Sequence, residues 1–412
     1  MDKKQQRQLG KSVVWNTLGN LVYYASQYVL LILAKRLAGN EVSGMVSVAT
    51  AVAAIALSFS NYGMRSFQIS DFEHKYTDRT YLDSRRITVL AAGLGAAAFA
   101  FAVSYTSVQR WIILWYTVGR LSEGYIDVWH GYLQKADRMD LVGVLFGIRG
   151  LGTMAVFGLG LWLTRDVVLT MALLAVFSWA CVFLADVPQS RKKADFAAPR
   201  AGTVRLLLWE CAPLAVYSFL NSSIGSVVKL VCERIVGASE FANFNNVFAP
   251  VQIIQVGAMY IFAPFMLTFA RYWQEKNRAG YRRAFGMASA AMPVLWGCGA
   301  AGAALLGKWA LVLLYGSDIA GYSFLLQPAV VAAIINIYVS ILCYLLAMMR
   351  EMKGLIAGNV AGILAAFLFS SPMVQGLGIT GAAWATVGSR AVQGTVCLAV
   401  VLWRCKKHFA EA

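Results

Sequence analysis

Twelve apolar runs, each about twenty residues long, constrain this chain more than any other feature of its sequence. A helix of about twenty residues spans the hydrocarbon core of a bilayer. Because 59% of the residues are hydrophobic and only 14% are charged, a soluble globular fold is excluded. We therefore expect an all-α polytopic membrane protein. The runs cover about 12–35, 42–63, 87–108, 111–133, 141–163, 167–188, 206–232, 244–269, 284–306, 324–348, 354–374 and 379–403.

The basic residues predict how these helices are oriented. If the helices alternate in direction, 26 of the 36 Lys and Arg residues fall on the side that holds the N-terminus, and six fall on the other. Cytoplasmic loops of membrane proteins carry the excess of Lys and Arg. Both termini are therefore expected in the cytoplasm, which also accounts for the net charge of +16 without a nucleic-acid partner. The loops on the other side are too short for an extracytoplasmic catalytic domain.

The chain is expected to consist of two six-helix lobes. The N-lobe covers 1–190, a cytoplasmic linker covers 191–205, and the C-lobe covers 206–412, including a basic C-terminal tail. A short internal repeat supports the division, because KRLAG at 35–39 resembles ERIVG at 233–237 and each ends the first helix of its lobe. Lobes with an even number of helices share one orientation, so their symmetry axis would run along the membrane normal.

The fourth apolar run carries a stripe of polar residues. Its middle contains, at steps of three, four and three, the residues Arg120, Glu123, Asp127 and His130. A helix with 3.6 residues per turn places all four on one narrow face. Because a charged side chain facing lipid is costly, the stripe should face protein or an aqueous cavity. His130, near the inner end of the run, could face lipid headgroups or transfer protons.

Four cations lie inside the apolar runs, namely Arg120, Arg149, Lys229 and Arg390. At this depth a cation must meet a carboxylate, water or an anionic ligand. Glu123 lies one turn from Arg120 and could neutralise it within the helix, and Glu233 stands in the same relation to Lys229. Neither Arg149 nor Arg390 has an acid within one turn, which favours a cavity role for both.

The first helix of each lobe is polar along much of its length. The candidate contacts to a sugar are Asn20, Tyr24, Tyr217 and Asn221. Amide and hydroxyl groups beside aromatic faces suit carbohydrate, although the same groups also join transmembrane helices to each other. No nucleotide-binding, zinc-protease or paired CxxC motif is present, and the seven cysteines follow no ligand spacing. We therefore expect neither a cofactor nor a metal, and no enzyme activity.

Three segments of the first half carry a family resemblance, over about residues 8–160. They are GKSVVWNTLGNLVYYASQYVLLILAKRLAGNEVSGMVSVA, NYGMRSFQISDFEHKYTDRTYLDSRRIT and LSEGYIDVWHGYLQKADRMDLVGVLFGIRG. With them the chain resembles the Wzx-type polysaccharide flippases of the multidrug/oligosaccharidyl-lipid/polysaccharide (MOP) exporter superfamily. The resemblance implies a MATE-like fold of about twelve helices, with two lobes around a central cavity, in the bacterial plasma membrane.

The resemblance also implies a cargo and a mechanism. An undecaprenyl-diphosphate-linked oligosaccharide would cross from the cytoplasmic to the outer leaflet by alternating access of the two lobes. Cationic residues of the cavity would hold the diphosphate, and that role falls here on Arg120, Arg149, Arg390 and Lys229. The bilayer would keep the lipid tail, so that only the headgroup crosses the cavity.

Further roles follow from the same resemblance. Glu123 and Asp127 would be cavity acids that hold the cations or couple the cycle to H⁺ or Na⁺. Arg65 and Asp71 match a loop at the cytoplasmic mouth. Glycosyltransferases and a polysaccharide polymerase would be the protein partners, alongside membrane lipids.

Three other functions compete with a flippase. A multidrug or cation antiporter of the same superfamily would need a net acidic cavity, whereas the mid-membrane cations here slightly outnumber or equal the acids. A membrane polysaccharide polymerase or ligase would need a sizeable outer loop, which is missing. A scaffold in a cell-envelope complex would leave the buried charges without a purpose.

Overall fold

A computed structural model describes residues 3–71, 73–192 and 202–410. Helices account for all the regular structure of these residues, and none of them is in a strand. The first half contains α1 (Lys3–Asn61), α2 (Met64–Ser70), α3 (Asp78–Ala102), α4 (Ser107–Lys135), α5 (Met139–Thr164), α6 (Val167–Cys181), a π-helical stretch (Val182–Asp186) and α7 (Val187–Arg191). The second half contains α8 (Thr203–Val236), α9 (Ala238–Gln274), α10 (Arg278–Gly302), a second π-helical stretch (Ala303–Gly307), α11 (Lys308–Tyr315), a 3₁₀ stretch (Ser317–Leu325), α12 (Leu326–Met348) and α13 (Met352–Ala410).

Glycines in left-handed conformations separate consecutive helices. Gly39 divides α1 at φ 87°, and Gly378 divides α13 at φ 58°. Gly237 lies between α8 and α9 at φ 83°. A side chain with a Cβ is unfavourable at such φ values, so glycine is the residue that permits these breaks. Gly39 and Gly237 are the last residues of the two repeated segments, so the internal repeat of the sequence coincides with a repeated backbone break.

The expected number of spans is confirmed. In the described part of the chain, eight continuous helices are long and apolar enough to cross a membrane. Two of these are divided by Gly39 and Gly378 into two spans each. The helices α4, whose centre carries three charged residues, and α9, whose residues are only partly described, complete a set of twelve. The orientation of the termini stays a prediction.

The chain divides into two compact units, with the boundary between Ser222 and Ser223 inside α8. In the first unit, α1 packs along α4 and α5, and α6 packs on both α4 and α5. Gly19 of α1 lies against Gly143 of α5 so closely that a Cβ on either residue would collide with the other helix's backbone. In the second unit, α12 packs against α9 and α13. The linker at 191–205 stays a prediction, since residues 193–201 lie outside the described residues.

Candidate functional site

The polar stripe of α4 faces protein, as the sequence indicated. Its four residues reach different neighbours and form three groups of contacts. The first lies against α1, the second against α5 and the π-helical stretch, and the third against α2 and α3.

The first group joins Arg120 to Glu123 and Tyr23. Arg120 and Glu123 form an ion pair within α4, which the spacing of three allowed. Arg120 Nη1 also donates to the Tyr23 hydroxyl at 2.7 Å, and its guanidinium lies 6.0 Å from the centre of that ring. Nearby, the Tyr116 hydroxyl donates to Gln27 Oε1 at 3.2 Å. The guanidinium of Arg120 therefore contacts a hydroxyl of α1 in addition to its carboxylate partner on α4.

The second group joins Arg149 to Asp186 and His130. Arg149 Nη2 donates to Asp186 Oδ2 at 3.0 Å, and Nη1 donates to Ser122 Oγ at 2.7 Å. His130 Nε2 lies 2.8 Å from the other carboxylate oxygen, Asp186 Oδ1. Each of the three side chains has a relative exposure of 3% or less. Charged groups with so little exposure need partners, and Asp186 supplies one to both neighbours.

The structure adds a partner for Arg149 and corrects one expectation about His130. Arg149 has no acid within one turn, as the sequence showed, but Asp186 neutralises it from a position 37 residues further along the chain, a partner that the sequence analysis did not find. His130 was placed at the level of the lipid headgroups as one alternative, but it is fully buried at 0% exposure. Asp186 ends the π-helical stretch Val182–Asp186. Such a stretch inserts an extra residue into a helical turn and changes which side chains share a face.

The third group joins two arginines to Asp127. Arg65 Nη1 donates to Asp127 Oδ1 at 3.1 Å, and Arg85 Nη2 donates to Asp127 Oδ2 at 2.7 Å. Arg65 also contacts Gln134 Oε1 at 2.9 Å, and Arg85 donates to the Ser60 carbonyl. Arg85 is completely buried. Two guanidinium groups share one carboxylate, so this group carries a net charge of +1.

Asp71 organises the loop that follows α2. Its carboxylate accepts from the backbone N–H groups of Lys75 and Tyr76, at 2.9 and 3.1 Å, and from the Tyr81 hydroxyl at 3.0 Å. Partial burial raises the pKa of Asp71, but the three donors outweigh burial and lower the pKa below its ordinary value. Lys75 continues the loop's contacts with a 2.6 Å ion pair to Glu210. The contacts of Asp71 therefore hold together the loop that was expected at the cytoplasmic mouth.

Arg120 and Arg149 line a common cavity within the first unit. The cavity measures about 20 Å³. A volume of this size holds about one water molecule. Glu123 lines it as well, and the remaining lining residues are Tyr23, Gln27, Trp115, Tyr116, Gly119, Thr153, Leu174 and Ser178.

In the second unit, Arg390 contacts a side-chain amide. Arg390 Nη1 donates to Gln393 Oε1 at 2.8 Å, Gln393 Nε2 donates to Asn359 Oδ1 at 3.1 Å, and Asn359 closes the series on a carbonyl of its own helix. Lys229 forms no ion pair with Glu233 in the described part of the chain, so that expectation is wrong. A spacing of four permits such a pair but does not enforce it.

The expected sugar contacts lie on α1 and α8. Asn20 Nδ2 donates to the Asn16 carbonyl at 2.7 Å, a contact within the helix. Tyr24 is 47% exposed. Tyr217 and Asn221 are half-buried on α8. Their role in sugar binding stays a prediction.

Comparison with solved structures shows which known folds this fold resembles. The fold matches an outward-facing multidrug-resistance MATE transporter of the MOP superfamily, with a TM-score of 0.63, 14% identity and coverage of 97% of this chain and 96% of that one. An inward-facing structure of such a transporter matches with a TM-score of 0.65, 15% identity and coverage of 96% and 98%. A Pyrococcus furiosus MOP transporter, described as having a binding pocket of reversed polarity, matches with a TM-score of 0.57, 13% identity and coverage of 98% and 95%.

The chain therefore has a multi-pass membrane fold similar to that of these transporters. Residues 9–269 match the family of polysaccharide biosynthesis proteins, and the chain belongs to that family. No curated protein sequence matches the chain. The expected family, the MATE-like fold and the multi-pass membrane localisation are thereby confirmed.

Proposed function

We propose that this protein is a flippase that moves an undecaprenyl-diphosphate-linked oligosaccharide from the cytoplasmic to the outer leaflet of the bacterial plasma membrane. One observation carries the proposal: Arg120 and Arg149 line the same polar cavity in a chain of the polysaccharide biosynthesis family. A diphosphate is a compact anion, and arginine offers it paired, rigidly oriented donors. The low dielectric of a buried site strengthens that attraction.

Binding requires an exchange of partners. Both arginines already contact carboxylates, and the cavity admits about one water molecule, so the cargo's diphosphate enters by replacing a carboxylate. Glu123 is the carboxylate to be replaced first, because its side chain is 13% exposed whereas that of Asp186 is 3% exposed. Protonation of Glu123, or its capture by Na⁺, would free Arg120 and couple the cycle to an ion.

Other cations assist at different stages of alternating access. The net charge of +1 around Asp127 attracts an anionic headgroup, with Arg65 as the more exposed arginine of that group. Arg390 lies on α13, donates to the Gln393 side chain, and places a positive charge in the second unit. Lys229 adds a further charge in the second unit. Glycosyltransferases would supply the cargo and a polymerase would consume it.

A cation or drug antiporter is the second candidate function. The matched MATE structures and the presence of Glu123 in the cavity favour it. The charges argue the other way. The three groups of contacts around α4 hold four arginines, Arg65, Arg85, Arg120 and Arg149, against three acids, Glu123, Asp127 and Asp186.

A complementation experiment tests the proposal. A host that lacks its own flippase and makes a compatible glycan receives the wild-type chain, Arg120→Ala, Arg120→Lys or the control Arg86→Ala, and surface polysaccharide is quantified. Arg86 is an exposed arginine paired with Asp83 at 2.9 Å. We expect Arg120→Ala to reduce export by at least about tenfold, which equals about 1.4 kcal/mol of lost binding. Arg120→Lys should restore part of it, and the control should export normally.

Two results would overturn the proposal. The first is normal glycan export by correctly inserted Arg120→Ala and Arg390→Ala. The second is efflux of cationic dyes by the wild-type protein without any rescue of glycan export, which would favour the antiporter.

A further inference from the structure

The start of α10 carries a basic groove that the proposed transport cycle does not use. The groove is open, measures about 610 Å³, and is lined by Arg278, Ala279, Arg282 and Arg283. All three arginines are exposed. None forms an ion pair or a side-chain hydrogen bond with a described residue. We propose that this groove binds the phosphate headgroup of an anionic phospholipid of the surrounding bilayer, and that this lipid's acyl chains lie along α10.

The groove is held in place by packing beneath it. The Asn277 side chain caps α10 by accepting from the Gly280 N–H at 2.8 Å. Tyr281, 4% exposed, packs its ring against those of Phe269 and Phe409, at centroid distances of 5.5 and 5.6 Å. These contacts fix the first turn, so the three guanidinium groups lose less freedom when an anion binds.

The helix beyond the groove suits acyl chains. Among the eight apolar helices of the described residues, the continuous helix Arg278–Tyr315 has the smallest buried share of its apolar window, 6% against 28–67% for the others. Met287 and Val294 are 55% and 65% exposed and follow Arg283 at helical spacings that place them on one face. Gly286, one turn after Arg282, leaves open space beside the helix. A cationic end and a lipid-facing apolar side match an amphiphile with an anionic headgroup.

The chemistry selects a headgroup with a net negative charge rather than a zwitterionic one. Three guanidinium groups without a nearby carboxylate partner leave a local charge of +3 to be neutralised. Arginine binds phosphate oxygens through paired donors, and basic pockets at the ends of membrane helices attract anionic lipids. The positive-inside rule alone explains why cations lie in this segment. That rule does not explain why the three arginines line one groove or why packing beneath them fixes the turn.

Native mass spectrometry of the full-length protein in detergent tests the inference. The wild type is titrated with phosphatidylglycerol and, separately, with phosphatidylcholine, and so is the triple variant Arg278→Ala, Arg282→Ala, Arg283→Ala. The matched control removes three exposed cations elsewhere, Arg36→Ala, Arg234→Ala and Lys308→Ala. We expect the wild type and the control to prefer phosphatidylglycerol. The groove variant should bind phosphatidylglycerol on the order of 100-fold more weakly.

A competition experiment distinguishes binding of the whole lipid from binding of a phosphate group alone. Inorganic phosphate, added at the same concentration as phosphatidylglycerol, should not displace the lipid, because it lacks the acyl chains. Should the triple variant fail to insert, the single variant Arg282→Ala replaces it, with an expected loss of about fivefold. Equal binding of phosphatidylglycerol by the groove variant and the wild type would overturn the inference. So would an equal loss in the control, no preference over phosphatidylcholine, or displacement by inorganic phosphate.

Discussion

Two arginines, the buried Arg149 of the first unit and the half-buried Arg390 of the second, make contacts of different chemistry. In the first unit, Arg149 depends on a full negative charge, supplied by Asp186. In the second, Arg390 contacts the neutral amide of Gln393, which in turn contacts Asn359. Removing one partner of a buried ion pair leaves an uncompensated charge, whereas removing a neutral amide costs about one hydrogen bond and its desolvation. Substitution of Asp186 should therefore cost more stability than substitution of Gln393.

The largest effect is expected for Asp186→Asn. It leaves the guanidinium of Arg149 buried without a counter-charge, so the free energy of unfolding should fall by about 3–5 kcal/mol. Thermal unfolding in detergent measures the change. The control is Asp83→Asn, in a more exposed ion pair, with an expected cost of about 1 kcal/mol or less. Equal melting temperatures for Asp186→Asn and the wild type would contradict the difference drawn between the two arginines.

The next effect concerns the two arginines that share Asp127. Arg85→Ala removes a completely buried partner and should lower the free energy of unfolding by about 1–3 kcal/mol, since Arg65 still neutralises the carboxylate. Arg65→Ala removes a side chain that is 25% exposed and should cost about 1 kcal/mol or less. Chemical or thermal denaturation of both variants gives the order directly. If Arg65→Ala lowered the free energy of unfolding more than Arg85→Ala, burial would not decide how much each arginine contributes to stability.

A smaller effect is expected in the second unit. Gln393→Leu removes one contact from Arg390 and one from Asn359, and should cost about 1–2 kcal/mol. Denaturation under the conditions used for Asp186→Asn provides the comparison. If Gln393→Leu proved the more damaging variant, neutral amides would matter more here than the ion pairs of the first unit.

The smallest effect concerns acid sensitivity at the loop after α2. Because its donors lower the pKa of Asp71 in the folded protein, the ionised carboxylate stabilises the fold at pH values above the ordinary aspartate pKa. That contribution is lost as the pH falls through the lowered pKa. Melting temperatures of the wild type should therefore decline in this acidic range more steeply than those of Asp71→Asn. Parallel curves would show that Asp71 does not contribute.

The sequence predicted local relations well and distant ones poorly. The stripe on α4 and the contact between Arg120 and Glu123 follow from helical spacing, and the twelve spans follow from run length. Asp186 was missed because its partner Arg149 lies on another helix, 37 residues earlier, and no local spacing links the two. Arg85 was counted only as a cation of a cytoplasmic loop, since nothing in its neighbourhood points to Asp127, 42 residues away.

The position of the Asp186 carboxylate depends on the number of residues in the π-helical stretch Val182–Asp186. Deleting one residue there would restore regular α-helical winding and rotate every later position of the segment by about 100° relative to what precedes it. The carboxylate at Asp186 would then leave Arg149 without any change to either residue. A deletion here would thus break the ion pair as a substitution would, so a relative that is one residue shorter in this stretch should also differ at the arginine.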